Sequence, residues 1–406
     1  MRLAVVSPFL DRQHGTELCV IEQLERFVRT YNWAIELYSQ RVEQLKDLRS
    51  ASDPDEPPQG FIRWHKLSEI PGPHLLKYLW WFFANQWRRW WDRRSGGPHP
   101  DLVYSPGINC LDADVIVVHI VFHVLYERVR AELALHRAPL KSWPRVIHRR
   151  LYYRLVMLLE QIVYSDSRVR LIAVSTLVAQ KLKCIFRRDD VAVIPNAVDT
   201  VRFTPEARRA RRGESRDFFQ FHEREFVILL IGNDWKNKGL DSLLRALTNL
   251  MDLPLRALVV GSDDPGSYRS LIEQLGLRER IRFEKSSPDV LRFYAAADLY
   301  AGPSLEDAFN LPMVEAMACA IPVIASVHAG ASEHIRDGET GFLLQNPQDS
   351  KQLAQLLRRT AGDPVLCLRV GAAASRYVLA NCSWDSNVSQ TKKFLENTVR
   401  SRALGV

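Results

Sequence analysis

Short, wholly apolar runs alternate with helix-length amphipathic segments along this chain, and the alternation occurs twice. The first series has the strand-like runs Leu3–Val6, Ile35–Tyr38, Phe61–Trp64, Val115–His119, Leu171–Val174 and Val191–Ile194. Between the first two stands Thr16–Arg29, with Leu18, Ile21, Leu24 and Val28 on one helical face. The series closes at Pro195-Asn196. It restarts with Phe226–Ile231, a helical Gly239–Leu250, and then Leu258–Val260, Ile281–Phe283, Asp298–Ala301 and Pro322–Ala325. Strands apolar throughout, rather than at every second residue, are buried on both faces, as in a parallel sheet covered by helices. Two such series predict two doubly wound α/β domains. The join, Asn196–Arg224, carries Pro205, Gly213 and the basic run Arg208–Arg212. It is predicted to be a solvated linker or helix face. Ser50–Gly60, acidic and proline-rich, predicts a loop.

Composition removes several classes. A chain of 406 residues suits two or three domains of about 150 each. The first apolar run is too short for a secretion signal, and no 18-residue stretch free of charge predicts a membrane-crossing helix. Six scattered cysteines without a C-x-x-C predict reduced thiols rather than a zinc site. The excess of 55 basic over 47 acidic residues gives a net charge of +8, modest for a nucleic-acid binder, and no nucleic-acid motif accompanies it.

In open α/β sheets, ligands bind beyond the carboxyl ends of the strands. The richest segment of that kind is Pro303-Ser304-Leu305-Glu306-Asp307-Ala308-Phe309-Asn310-Leu311-Pro312-Met313-Val314-Glu315-Ala316-Met317-Ala318. Asn310 and Pro312 suit a helix start. Free N–H groups and the positive dipole end there favour an anion. Asp307 and Glu315, eight apart, bracket the turn and suit hydroxyl groups. The residues alone predict an anionic, hydroxyl-rich ligand.

This segment resembles family-4 glycosyltransferases, retaining, nucleotide-sugar-dependent enzymes whose pattern is PS-x-x-E-G-F-G-L-P-x-x-E-A-M-A-x-G-x-P-V-I. Pro303, Ser304, Phe309, Leu311, Pro312, Glu315 to Ala318 and Pro322 to Ile324 match. Gly330, Glu333, Gly338 and Gly341-Phe342 continue the likeness, whose flavour is that of lipopolysaccharide-core glucosyltransferases. The chain departs at Asp307, where the family has Glu, and at Ala308 and Asn310, where it has Gly. The resemblance implies that Asp307 orients the donor sugar and Glu315 the ribose, with Glu306 a neighbour able to substitute for Asp307.

Three further segments fit. Gly232-Asn233-Asp234-Trp235-Lys236-Asn237-Lys238-Gly239 stands where the family has Gly-Arg and then Lys-Gly, cations for the diphosphate. Lys238 matches, Asn233 occupies the arginine position, and Lys236 is the candidate replacement. His14-Gly15-Thr16-Glu17 stands at the family's Gly-Gly loop. Gly15 would let the backbone approach the donor, and Thr16 would cap the helix. His119 ends its strand where the family often places a histidine near the sugar, with His123 the competitor. The implied donor contacts are thus Gly15, Thr16, Gly232, Asn233, Lys236, Phe309, Asn310 and Leu311. Lys238, Asp307, Glu315 and His119 are the implied catalytic set. Asp112-Ala113-Asp114 spells the metal motif of another glycosyltransferase class, but the resemblance implies no metal and no cofactor besides the donor.

The resemblance implies the GT-B fold: two Rossmann-like domains facing a central cleft, an acceptor-side domain over 1–200 and a nucleotide-sugar domain over 201–383. A terminal helix over 384–406 crosses back. It implies transfer of a hexosyl group, with retention, to a glycan or glycolipid hydroxyl, in the cytoplasm, in cell-envelope polysaccharide or lipopolysaccharide synthesis. A sugar-nucleotide epimerase and a catalytically impaired GT-B binding protein are the alternatives.

One feature stands outside that scheme. Five of ten tryptophans fall between residues 80 and 91. As a helix, His74–Arg94 would place Leu76, Leu79, Trp80, Phe83, Trp87 and Trp90/Trp91 on a broad apolar side. Membrane contact through Trp80, Trp81, Trp87, Arg88, Arg89, Trp90 and Trp91, packing in the core, and a protein partner are the three outcomes to separate.

Overall fold

The computed structural model describes residues 1–404 apart from 13–14, 47, 51–59, 98, 132, 135–140 and 142. His14 and positions 51–59 of the predicted loop therefore lie outside the described residues. The chain forms two compact units, Met1–Ile194 with Val388–Val406, and Pro195–Asn387.

In the first unit the chain runs through β1 (Arg2–Val6), β2 (Phe9–Leu10), α1 (Gly15–Tyr31), β3 (Ala34–Ser39), β4 (Arg41–Val42), β5 (Leu48–Ser50), β6 (Phe61–Lys66) and α2 (His74–Arg94). It continues through β7 (Leu102–Pro106), β8 (Val115–Val118), α3 (Phe122–Val129), α4 (Trp143–Tyr164), β9 (Arg170–Ala173), α5 (Thr176–Phe186) and β10 (Ala192–Val193). Eight parallel strands form one sheet in the order β10-β9-β8-β7-β1-β3-β6-β5. β2 and β4 pair separately. The order reverses between β1 and β7. β7, central to the sheet, is absent from the expected strands because LVYSP has only three apolar residues before Ser105 and Pro106. The wholly buried Leu3–Val6 and Val115–Val118 show why continuous apolar runs were the reliable signal.

The second unit contains α6 (Pro205–Phe218), β11 (Phe226–Ile231), α7 (Leu240–Thr248), β12 (Leu255–Val260), α8 (Arg269–Gln274), β13 (Ile281–Glu284) and α9 (Leu291–Ala296). Then come β14 (Leu299–Gly302), α10 (Leu311–Ala318), β15 (Val323–Ser326), β16 (Phe342–Leu344), α11 (Ser350–Gly362) and α12 (Pro364–Asn381). A last helix, α13 (Trp384–Ala403), starts at the end of this unit. Its six-stranded parallel sheet has the order β13-β12-β11-β14-β15-β16 and reverses between β11 and β14.

The basic run is not a solvated linker. Thr204 caps α6, its side chain accepting from Ala207 N–H. Arg208 donates to the Ala297 carbonyl at 2.7 Å, Arg211 grips Asp289 with two bonds of 2.6 and 2.7 Å, and Arg212 meets Asp298 at 2.5 Å. Guanidinium forks fit carboxylates and carbonyls, so these arginines fasten α6 beside α9. Arg209 alone in the run keeps to the exposed side, paired with Glu206.

Candidate functional site

The reversal of strand order leaves a crevice between the loops that follow β11 and β14, the usual ligand position in such sheets. Those loops are the two sequence segments singled out above, Gly232–Gly239 and Pro303–Asn310. Backbone contacts hold them together. Leu305 N–H donates to the Asn237 carbonyl at 2.7 Å, and Asn237 Nδ2 to the Glu306 carbonyl at 2.9 Å. Gly239, at φ +81°, passes so close that a Cβ there would lie 2.0 Å from the Pro303 carbonyl oxygen. At Gly232, φ +137°, a Cβ would lie 2.7 Å from Lys238 Cε, so the Lys238 side chain lies over bare backbone. That side chain ends at Asp307, Nζ to Oδ2 2.5 Å. On its far side Asp307 is pinned by its N–H to the His328 carbonyl (3.1 Å) and its carbonyl to Gly330 N–H (2.9 Å).

Asn310 precedes α10 with φ 73° and ψ 64°. Asparagine tolerates this left-handed conformation better than other residues with a Cβ, so it can stand where the resembled pattern has glycine. It occupies the cap position but does not cap. Its Oδ1 accepts instead from the Tyr300 hydroxyl at 2.9 Å. Ala308 needs no positive φ. Phe309 is buried, and Leu311 and Pro312 open the helix. Ser304 Oγ, Asn310 Nδ2 and Asn237 Oδ1 are buried without a partner among the described residues. Buried polar atoms are normally satisfied, so three orphans on two adjoining loops mark a place where a polar ligand would complete the bonding.

Glu315, one turn into α10, is buried. Its Oε2 accepts from the Tyr294 hydroxyl at 2.6 Å. Burial pushes the carboxyl up to about 7; the Tyr294 bond and Arg202 pull it down, and Asp199 pushes it up. It therefore titrates near neutrality. Tyr294 escaped the sequence reading, although a tyrosine inside the apolar segment Leu291–Ala296 needs a partner for its hydroxyl.

Two further donor-side candidates stand on the first of these loops. Asn233 is exposed, and its Oδ1 accepts from Ser262 N–H at 2.9 Å, tying the loop to the end of β12. Lys236 is exposed on the same loop.

The remaining predicted residues belong to the first unit. Gly15 begins α1 with open space where a Cβ would stand, and Thr16 lies inside the first turn rather than at its cap. His119 follows β8, buried, with Nε2 unpartnered; burial alone pushes it down to about 4, so it is neutral at pH 7. His123 is committed elsewhere: its Nδ1 meets Glu160 Oε2 at 2.6 Å. The same carboxylate accepts from Phe122 N–H and His123 N–H at the start of α3. Asp112 is held by Arg89 and Arg93, and Asp114 by Arg402 and Val103 N–H. Both acids of D-x-D thus serve ion pairs.

In α2, Trp81 and Arg89 point inward and so drop out of the residues named for membrane contact. Trp81 Nε1 donates to Asn109 Oδ1 at 3.1 Å, and Arg89 forks onto Asp112 at 2.6 and 2.7 Å. Trp80, Trp87, Arg88, Trp90 and Trp91 are exposed. Among the described residues, no helix is long and apolar enough to cross a membrane.

Comparison with known proteins agrees with this frame. Residues 211–377 match the family Glycosyl transferases group 1. A D-inositol 3-phosphate glycosyltransferase of Mycobacterium sp. (strain KMS) is 36% identical over 189 residues, 44% of this chain and 42% of that protein. The lipopolysaccharide glucosyltransferase WaaG of Escherichia coli (strain K12) is 32% identical over 141 residues, 34% of this chain and 37% of that protein. The matches thus span less than half the length of these relatives. Among solved structures, WaaG, a glycosyltransferase involved in lipopolysaccharide biosynthesis, superposes with a TM-score of 0.75 at 18% identity, covering 98% of this chain and 99% of that one. Anabaena HepE, in complex with UDP-glucose, gives 0.69 at 18%, covering 98% and 100%. The chain therefore has the GT-B fold, and its residues 211–377 are a domain of the group 1 glycosyl transferases.

Proposed function

We propose that this protein transfers a hexosyl group from a nucleoside-diphosphate sugar to a hydroxyl of a glycan or glycolipid, keeping the anomeric configuration and using neither metal nor further cofactor. The observation that carries this is the Lys238–Asp307 pair laid over Gly232, at the strand-order reversal, beside the buried Glu315.

In the reaction the bond from the sugar C1 to the departing phosphate oxygen breaks, and a bond from the acceptor oxygen to C1 forms on the same face. The acceptor's proton leaves with the diphosphate. Negative charge grows on that phosphate, and Lys238 is the cation within reach of both it and Asp307. The N–H groups at the start of α10, from Leu311 onward, add a positive dipole end. Asp307, released from Lys238, would take donor-sugar hydroxyls. Glu315 in its carboxylate form would accept from the two ribose hydroxyls. Ser304 Oγ and Asn310 Nδ2 supply free polar partners beside them. Lys236 would assist at the diphosphate, and Phe309 and Leu311 would shape the donor wall. Asn233, at the position of the family's arginine, would add a neutral contact to the donor. A glycolipid acceptor would draw the protein to the cytoplasmic face of a membrane and into envelope polysaccharide synthesis, in keeping with the involvement of WaaG in lipopolysaccharide biosynthesis.

Thermal-shift measurement with UDP-, GDP- and ADP-sugars tests the donor. One series is expected to raise the midpoint, and NMR of the product is expected to show the donor's own anomeric configuration. Stabilisation by none of the three would overturn the proposal. Donor turnover without an acceptor, giving an epimer, would replace it.

A further inference from the structure

Helix α2 is aromatic on two sides. Its inner side buries Trp81 and Phe82. Its outer side exposes Leu76, Trp80, Phe83, Trp87, Trp90 and Trp91, with Phe83 62% and Trp87 66% exposed. At 100° per residue these six fall in one stripe about 100° wide. Helix α4 repeats the pattern: Trp143, Ile147, Leu151, Leu158 and Ile162 are exposed and share a stripe of similar width. The two helices touch within the first unit, where Leu75 N–H donates to His148 Nε2 at 3.2 Å and His74 meets the Tyr152 ring edge-on at 4.7 Å. Isolated exposed apolar side chains need no explanation, but contiguous rows do.

Charge selects the occupant. Lys77, Arg88 and Arg94 on α2, and Arg154 on α4, are exposed within or beside the two stripes, whereas the exposed Arg145 and Arg149 lie on the opposite side of α4. The Arg94 guanidinium lies 4.5 Å from the Trp90 ring centre. Only two carboxylates occur on the two helices, and neither is open. Asp92 is bound by Arg88 at 2.9 Å, and Glu160 is buried on backbone N–H groups. A protein partner of ordinary composition would meet charges of both signs. This surface offers cations alone, around indole rings whose apolar body and N–H suit the headgroup boundary. Neither helix is long and apolar enough to cross a bilayer, so α2 would lie in its surface.

We propose that the outer face of α2 forms a docking surface for an anionic lipid bilayer. The surface uses no residue of the donor site. Loss of vesicle binding and loss of donor binding are therefore separate results.

Sedimentation of the full chain with vesicles of equal parts phosphatidylcholine and phosphatidylglycerol, at low salt, is the test. Binding is expected, and it is expected to fall with added salt and with pure phosphatidylcholine. The variant Phe83→Ser/Trp87→Ser/Trp91→Ser is expected to bind at least about tenfold more weakly, while its unfolding midpoint and its response to the donor remain those of the parent. Arg88→Glu/Arg94→Glu, which leaves the rings in place, should lose most of the anionic preference. Absence of binding to the anionic vesicles, or equal binding by the triple variant, overturns the proposal. So does a concentration-dependent dimer that the triple variant abolishes while vesicles bind neither form, since the occupant would then be a second copy of the chain.

Discussion

The carboxyl edge of the second unit and the outer side of α2 and α4 in the first depart from the usual inside-outside rule in opposite directions. At the first, charged groups are drawn in: Glu315 is buried, and Lys238 and Asp307 neutralise each other between two loops. At the second, large apolar groups stand in water while the carboxylates are tied down. Each departure has a cost to folding that a ligand of the complementary kind would offset. A polar, anionic small molecule fits the first, and an apolar, anionic surface fits the second. A molecule that did only one of these things would need only one of these anomalies.

The contrast can be broken at several points. The largest expected effect is at the inner face of α2. Trp81→Ala should cost about 3–5 kcal/mol in urea unfolding, because a buried indole and its bond to Asn109 are lost together. A cost near that of a surface substitution would mean that α2 is turned the other way. Next, Lys238→Ala and Glu315→Ala should each reduce transfer more than about 100-fold, about 3 kcal/mol of barrier. Wild-type turnover by either would detach the charged pair from catalysis. Gly239→Ala should then lose on the order of 1–3 kcal/mol of stability. The added Cβ meets the Pro303 carbonyl, and φ is +81°, so the two loops would have to separate and donor stabilisation should fall as well. Unchanged donor response would show that their closeness is incidental.

A subtler effect lies in pH. Folding raises the Glu315 carboxyl from its ordinary value to about 7. The native state thus holds a proton that the unfolded chain has released, and this residue's contribution to stability declines as pH rises from the ordinary carboxyl range through 7. The ribose contact proposed for Glu315 wants the opposite form. Donor affinity should therefore strengthen from pH 6 to pH 8. Tyr294→Phe removes a bond that favours the carboxylate, costs about 1 kcal/mol, and should move the midpoint of that affinity profile upward. A profile that is flat, or unmoved by Tyr294→Phe, would remove Glu315 from the ribose. Smallest of all, Trp87→Ala should change stability by less than about 0.5 kcal/mol, the counterpart of Trp81→Ala six positions earlier.

Most of the frame was legible in the sequence because buried parallel strands leave continuous apolar runs, as at Phe226–Ile231. β7 was not, since Ser105 and Pro106 cut its apolar run to three residues. The loops were legible through Pro303–Ala318, a pattern whose length made it specific. What the loops do to each other was not. Nothing local says that Asn233 bonds Ser262, or that Tyr294 reaches Glu315, because those partners lie 29 and 21 residues apart. In α2 the sequence showed an aromatic helix without showing its inner side. Trp80 and Trp81 are both plausible core residues, and only the position of Asn109 and Asp112 decides. The arginines of α6 misled for a similar reason: a basic run reads as solvated until acids and carbonyls are found opposite it.

The Lys238–Asp307 pair has one more consequence. A site with an open cation gathers a new pair of opposite charges when an anion arrives, so its affinity drops steeply as salt is added. Here the ammonium already has a counter-ion built into the chain, and an arriving diphosphate would exchange with it rather than add to it. On the proposed function, recognition would become a swap of partners, in which the carboxylate set free would turn to the sugar's hydroxyls. Its selectivity would rest on an arriving molecule carrying both an anion and a polyol, since either alone leaves one half of the broken pair unsatisfied.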